Sequence, residues 1–516
     1  MTSPTRHVTG TPAQTVPDTG SGHALPPGFV TQLLGRLTPP LVTFVITVWG
    51  ITSSSYWRDE AATMVADQRP FGQLIRMLGN VDVEHGLYYV LLWPVVQLGG
   101  TGELVTRLPS ALAMAAAAAF ITAIGARLVS LPAGIAAGLV FGVIPSTSLY
   151  AQNARPDALA VTGATAATYL LIRMLQARRS RWRWLAGYAA CMTVLGWIDL
   201  IGLFLLAAHA VTVAAASLRT GDPRARRRLA LGWLAAAVAA VAATGPLIAV
   251  AYRQRAQVNW IRPPGSNLVA LLPTLLSPVQ RPDHYSVPFV LGVGGCIAAG
   301  LLVSALGGWA RLRQRWPARL LAVVLPWLVL PGTALLVASA LKPLYFTRYI
   351  LFCVPALALL TGAAIAALGR LAGPAALVIV ALLGFPAQHA IRLPDGHGEN
   401  IRAADRIVAR YARPGDAVIF HNHSEESLVY AYPYGLAHLR DISQALTPAQ
   451  SGTLTGTKEP RPVIHQRAAQ VQRVWVVNFR RWHRPNAALG GLHFRLVQRW
   501  HLGDLTLYLY ARRGST

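Results

Sequence analysis

Residues able to do chemistry are few in this chain, and they fall in short clusters. Asp59 and Glu60 are adjacent within Ser55-Tyr56-Trp57-Arg58-Asp59-Glu60-Ala61-Ala62, just past the first long apolar run. Asp82, Glu84 and His85 share one short stretch, Arg155 and Asp157 flank Pro156, and Lys342, Arg348 and Tyr349 stand together late in the chain. A carboxylate beside a nucleophile can take its proton as general base. A guanidinium fork suits phosphate oxygens. Acids on one side and cations on the other fit an acceptor nucleophile meeting an anionic donor. Structural uses compete with each of these roles. The acidic pair can start a helix, Arg155 and Asp157 can form a local ion pair, His85 can bond within its loop, and Lys342 can anchor at an interface.

The elements that must position these residues are mostly membrane. Of 516 residues, 53% are hydrophobic and 13% charged, against roughly 25% charged in a soluble protein. This is the composition of a polytopic α-helical membrane protein. A net charge of +26 does not point to nucleic acid, because the arginines cluster in short segments between apolar runs, as cytoplasmic loops do. Cys191, Cys296 and Cys353 lie in apolar runs, with neither metal spacing nor a disulfide framework. Residues 1–36, rich in Thr, Pro, Ser and Gly, read as a disordered cytoplasmic tail rather than a signal peptide.

Apolar stretches of spanning length predict about eleven transmembrane helices, at 38–55, 103–127, 131–151, 156–177, 183–198, 199–218, 229–252, 286–308, 318–341, 347–369 and 373–390. The arginine-rich segments around 173–183, 219–228 and 311–319 are then cytoplasmic. The N-terminus is inside, and 56–102, 150–156, Asp199, 253–285, 342–347 and everything after 390 lie outside. All the clusters above therefore meet on the outer face, together with Arg253, Arg255, Gln257, Asn259, Trp260 and Arg262. The acidic pair is expected to start a helix running to about Gly79. Residues 86–99, short and carrying Pro94, are expected as an interfacial helix, with Tyr88, Tyr89 and Trp93 in the aromatic belt. Residues 37–392 form the membrane domain on this reading. Residues 393–516 form a small extracytoplasmic α/β domain, with a helix at 400–411 and strands at 417–420, 474–479 and 505–510. Tyr430, Tyr432 and Tyr434 offer aromatic surface for sugar or pack against strands.

Four blocks in order carry a resemblance: Arg58-Asp59-Glu60-Ala61, Asp82-Val83-Glu84-His85-Gly86-Leu87-Tyr88-Tyr89, Arg107-Leu108-Pro109-Ser110-Ala111-Leu112 and Tyr150-Ala151-Gln152-Asn153-Ala154-Arg155-Pro156-Asp157. They resemble the successive blocks of GT-C glycosyltransferases of the protein O-mannosyltransferase-like branch. Arg348-Tyr349-Ile350-Leu351 with Pro355-Ala356-Leu357 is similar to their late block, and Arg413 to Asp416 resembles a turn in the outer domain of actinobacterial members. The resemblance implies transfer of a sugar, mannose by default, from a polyprenyl-phosphate carrier to a protein, glycolipid or cell-wall glycan at the plasma membrane. It makes Asp59 the catalytic aspartate and Glu60 its companion. It places Asp82, Glu84, His85, Arg155 and Asp157 in the second and third blocks, and gives the carrier phosphate to Arg348, with Lys342 and Tyr349 beside it. No metal or other cofactor is expected, although acids of this kind can bind a divalent ion. The chain departs from the family at His85-Gly86-Leu87, where many members have His-Pro-Pro-Leu. Two other classes stay open. A lipid-linked sugar transporter or flippase would place charges near the bilayer midplane and often show an internal repeat. A non-catalytic envelope assembly factor would consume no donor.

Overall fold

The computed structural model of the protein describes residues 29–177, 179–261, 276, 286–479 and 487–512. Most of the expected tail, residues 1–28, lies outside them, as does Arg262. Residues 29–36 are not tail but the start of the first helix, α1 (Phe29–Val48). That helix ends about seven residues earlier than the apolar run suggests, where Gly50 takes a left-handed φ of 64°.

Next come α2 (Arg58–Asp67), α3 (Phe71–Asn80), α4 (Gly86–Gly99), α5 (Glu103–Leu128), α6 (Leu131–Val143), α7 (Pro145–Ala151), α8 (Asp157–Gln176), α9 (Arg181–Ile198), α10 (Leu205–Leu218) and α11 (Pro223–Arg253). Eight helices among the described residues are long and apolar enough to cross a membrane: α5, α8, α10 with its leading turn, α11, Val287–Leu306, Ala318–Leu341, Thr347–Ala367 and Ala372–Ile391. The pair α6 and α7 makes a ninth if its 63° bend belongs to one span. Pro145 begins α7 and has no N–H to continue the ladder of α6. The two other expected spans, α1 and α9, form helices of 20 and 18 residues but are not among the eight. The first holds Pro39 and Pro40, and the second Arg181 and Arg183.

Thr347–Ala367 is the central helix, with 94% of its apolar window buried in protein. Small residues let its neighbours come close. A Cβ added at Gly362 would lie 2.4 Å from the backbone N of Ala137 in α6. The three cysteines are free thiols.

The C-terminal domain contains a five-stranded sheet in the order β2-β1-β5-β7-β6. Its strands are β1 (Ala417–Phe420), β2 (Arg440–Asp441), β5 (Arg473–Asn478), β6 (Phe494–Leu502) and β7 (Leu505–Arg512); β3 (Gln444–Leu446) and β4 (Thr457–Lys458) pair separately. Strand β1 runs parallel to β2 and β5, while β7 is antiparallel to β5 and β6. The continuous apolar runs of β1 and β5 are buried along their whole length, as a sheet covered on both faces requires. The helix Ile401–Tyr411 is capped by the Asn400 side chain, which accepts from the Ala403 N–H, and buries Ile401, Ala404 and Val408.

Two of the aromatic residues expected in the belt, Tyr88 and Tyr89, face protein instead. Tyr56, Met64, Leu74, Met77, Tyr88 and Tyr89 share one core with Ile401, Val418, Trp475 and Leu507 of the C-terminal domain. Tyr88 and Tyr89 are fully buried in protein. The expected single helix to Gly79 is two, α2 and α3, broken before Pro70, which cannot donate to a helical ladder. Tyr432 sits in a loop rather than against a strand. Its hydroxyl donates to Glu103 at 2.5 Å and accepts from the Tyr56 N–H at 2.9 Å, while Tyr434 is exposed.

Asp67 ends α2 fully buried, with neither carboxylate oxygen hydrogen-bonded to any described residue. Burial pushes its pKa up to about 9 from 3.8, and the negative end of the helix adds no support for a charge. The folded protein thus holds a proton that the unfolded chain releases above 3.8, so stability falls as pH rises through that window and on to about 9. Asp67→Asn should remove this slope. Thermal unfolding at about pH 5 and about pH 8 should show wild type losing several degrees more than the variant. Equal losses would mean that Asp67 is not the source.

Candidate active site

Asp59 and Glu60 occupy successive positions in the first turn of α2. Successive helical residues point about 100° apart, so the two carboxylates enter different surroundings. Glu60 turns inward and is fully buried. Arg107 of α5 grips it with both arms, Nε donating to Oε1 at 2.8 Å and Nη2 to Oε2 at 2.7 Å, and the Ala154 N–H donates to Oε1 at 2.8 Å. The remaining Arg107 donors hold the carbonyls of Ile51, Ser54 and Ser55. Glu60 lines none of the cavities described below. The resemblance makes it a companion of the catalytic aspartate; its contacts here fasten the loop to α5 and to the Ala154 N–H.

Asp59 turns outward and keeps 23% of its side chain exposed. Arg348 Nη1 donates to its Oδ2 at 2.5 Å across 289 residues of sequence. Three rings surround the guanidinium: Phe346 at 5.2 Å, and Trp57 and Tyr349 each at 5.7 Å. Burial alone would raise the Asp59 pKa. The charges of Arg348 and then Arg155 prevail, and hold it below the ordinary carboxylate value.

A hydrogen-bonded relay joins the middle blocks. Asp82 sits in the left-handed region, with φ 61°. Its Oδ1 lies 2.8 Å from His85 Nδ1, and its Oδ2 accepts from the Tyr89 hydroxyl at 2.5 Å. Arg155 Nη2 stands 2.9 Å from His85 Nε2. A guanidinium only donates, so Nε2 accepts and Nδ1 carries the proton toward Asp82. Burial works against the Asp82 charge, but His85, Arg155 and Tyr89 together hold its pKa far below the usual range. Prolines are missing at this turn, and two glutamines fix it instead. Gln257 accepts from the Asp82 N–H at 3.1 Å, and Gln254 accepts from the Val83 N–H at 3.0 Å while donating to the Leu78 carbonyl. Asp82, Glu84 and His85 bring ligand atoms within 4.8 Å of one another, a set that could hold a cation. Both histidine nitrogens are already engaged, so a cation there would have to displace Arg155.

These groups surround a cavity of about 1010 Å³, lined by Asp59, Asp82, Glu84, His85, Arg155, Trp260, Arg348 and Tyr349. His397 and Ser424, from beyond the last membrane helix, line it too. An adjoining space of about 230 Å³ shares Arg155 and Arg348 and adds Asp157, Asp199 and Arg255. Asp199 accepts from the Ile201 N–H at 2.9 Å, and burial pushes its pKa up to about 7. Lys342 lines neither volume; its ammonium donates to the Arg255 carbonyl at 2.6 Å. Trp260 is over half exposed and packs edge-on against Phe346.

Several site residues carry no sequence signal. Glu399 pairs with Arg58 at 2.9 Å, next to Asp59, from beyond the last membrane helix in the sequence. His397 and Ser424 likewise reach the cavity only through the packing of the C-terminal domain. Gln254 differs from other polar residues near a helix end only in what it meets.

The architecture matches solved structures over nearly its whole length. ArnT from Cupriavidus metallidurans in the apo state superposes with a TM-score of 0.60 at 15% identity, covering 93% of this chain and 98% of that one. This chain has the GT-C glycosyltransferase fold. Within the GT-C fold, ArnT bound to undecaprenyl phosphate matches with a TM-score of 0.55, 15% identity and coverages of 94% and 98%. The mycobacterial arabinofuranosyltransferase AftD gives a TM-score of 0.48 at 17% identity, over 93% of this chain and 40% of its own. Residues 87–250 match the profile of the dolichyl-phosphate-mannose-protein mannosyltransferase family. That segment includes Arg107, Arg155 and Asp157 but neither Asp59 nor Arg348. No curated protein matches the chain.

Proposed function

We propose that this multi-span membrane protein transfers a sugar, mannose first among candidates, from a polyprenyl-phosphate donor to an acceptor hydroxyl outside the plasma membrane. The observation that carries this reading is the contact of Asp59 with Arg348 at the wall of the 1010 Å³ cavity. At rest Asp59 is a weak base, because the guanidinium stabilises its charge. A donor phosphate entering the cavity competes for the same fork. As Arg348 turns to the phosphate, the Asp59 carboxylate loses its partner and becomes more basic. Asp59 then takes the acceptor proton while the acceptor oxygen bonds to the anomeric carbon. The bond from that carbon to the phosphate oxygen breaks, and the pair of electrons leaves with the polyprenyl phosphate. Arg348 and Arg155 stabilise the charge that builds there. Direct displacement inverts the anomeric centre. The His85–Asp82 relay keeps Arg155 oriented.

The match to a structure bound to undecaprenyl phosphate and the description of the matching family support a prenol-linked donor. The outer location of the site and of the C-terminal domain rests on the arginine-rich loops being cytoplasmic. The test is purified protein in sealed proteoliposomes with radiolabelled polyprenyl-phosphate sugars and envelope extract. The expected result is free carrier phosphate together with a labelled product. A donor that changes leaflet without being consumed would make the protein a flippase, and neither outcome would leave it an assembly factor.

A further inference from the structure

A second polar cleft lies in the C-terminal domain, at the carboxyl ends of β1 and β5. It measures about 550 Å³ and is lined by Asn422 and Ser424 after β1, Asn478 and Phe479 at the end of β5, and Asp504 in the turn before β7. Its place follows from the strand order. From β1 the chain passes to β2 on one side and returns as β5 on the other, both parallel to β1. The loops leaving β1 and β5 therefore diverge, and a crevice opens between them. Open α/β sheets bind their ligands at such a reversal of strand order.

The cleft adjoins the reaction cavity. Arg58 and Ser424 line both volumes, and Arg58 is the residue before Asp59. The lining suits hydroxyl groups rather than phosphate. The Asn422 amide closes its own turn by donating to Glu425 at 2.8 Å, but the Ser424 hydroxyl can both donate and accept, and Asp504 adds an acceptor. Arg58, the one arginine or lysine among the described lining residues, is matched by Glu399 at 2.9 Å and lies over the Phe479 ring at 5.4 Å. His421 also lines the cleft; burial, then Lys458 and Arg461, depress its pKa, which keeps the ring neutral. An extended peptide would gain most from a free strand edge, but this cleft sits at strand ends and offers side chains.

We propose that the cleft is an acceptor subsite that holds a neutral, hydroxyl-rich glycan segment and passes its reacting hydroxyl beyond Arg58 to Asp59. The assignment rests on the transferase reading for its purpose, but glycan binding can be measured without turnover. The probe is mannotetraose, observed by saturation-transfer NMR on the full-length protein in nanodiscs. Asp504→Trp should fill the cleft and weaken binding by about tenfold or more, a loss of 1.4 kcal/mol, with undecaprenyl phosphate binding unchanged. Asp504→Asn, which keeps the shape, guards against misfolding and should give a smaller loss. In transfer assays both variants should raise the acceptor KM and leave the donor KM alone. Silence from wild type, equal binding by both variants and wild type, or binding of a Ser/Thr-rich peptide in place of the glycan would overturn the assignment. Glycan binding without donor turnover would sink the transferase reading and keep the glycan site. Turnover with an unchanged acceptor KM would sink the cleft alone.

Discussion

Asp59→Asn should lower sugar transfer by about 10²- to 10⁴-fold, the usual worth of a positioned general base, while the protein still inserts and folds. The substitution keeps the side-chain shape and removes the charge. What happens to the donor separates a base from an anchor. Arg348 currently spends its fork on Asp59 at 2.5 Å. If Asp59 only oriented that arginine, its loss would weaken donor binding. If Asp59 is the base and competes with phosphate, undecaprenyl phosphate should bind as well or better in the variant. The pH profile carries the same logic. In the free enzyme Arg348 and Arg155 overcome the effect of burial and hold Asp59 low, so kcat/KM should fall only below the ordinary carboxylate value. In the donor complex the phosphate has taken Arg348, so the acid limb of kcat should lie at higher pH. Near-normal transfer by the variant, or coincident acid limbs in the two profiles, would remove the assignment.

Arg107→Ala should cost about 3–5 kcal/mol of stability, the penalty for leaving one partner of a buried ion pair alone. Against a total of about 5–15 kcal/mol, that is a large share of the stability and should lower the unfolding midpoint by many degrees. The site shows why. Truncation strands the Glu60 carboxylate, fully buried, and takes the Arg107 donor from the carbonyls of Ile51 and Ser55, while that of Ser54 keeps Arg402 at 3.1 Å. Glu60→Gln should be milder, because its amide still accepts from Arg107 and from the Ala154 N–H. Thermal unfolding and the monodisperse fraction in detergent measure both. A double-mutant cycle should return a coupling of about 0.5–3 kcal/mol between the two positions. Arg107→Ala protein with the wild-type midpoint would refute the structural role of the pair.

The contrast between neighbours Asp59 and Glu60 marks how far local pattern reaches. Composition alone specified a many-span membrane protein, because a bilayer demands long apolar helices whatever the rest of the fold. Local patterns were enough for β1, β5, β7 and the helix Ile401–Tyr411, whose apolar residues recur at short-range spacings. Edge strand β6 was not legible, since its exposed side chains carry no core-facing pattern. The short ladders β2, β3 and β4 are defined by their partners rather than by their own two or three residues. The aromatic residues of the first loop read as a lipid belt, because apolar side chains look alike whether they meet lipid or a sheet more than 300 residues away.

Within the site, the sequence by itself determined which charged groups exist and that they sit at the ends of apolar runs. Only the tertiary structure decided which acid is free to react. One helical step turns Glu60 into Arg107 and Asp59 toward Arg348, and the partner each meets is delivered from elsewhere in the chain. Helix rotation is set by packing against the surrounding core, and a contact across 289 residues leaves no trace in either local segment.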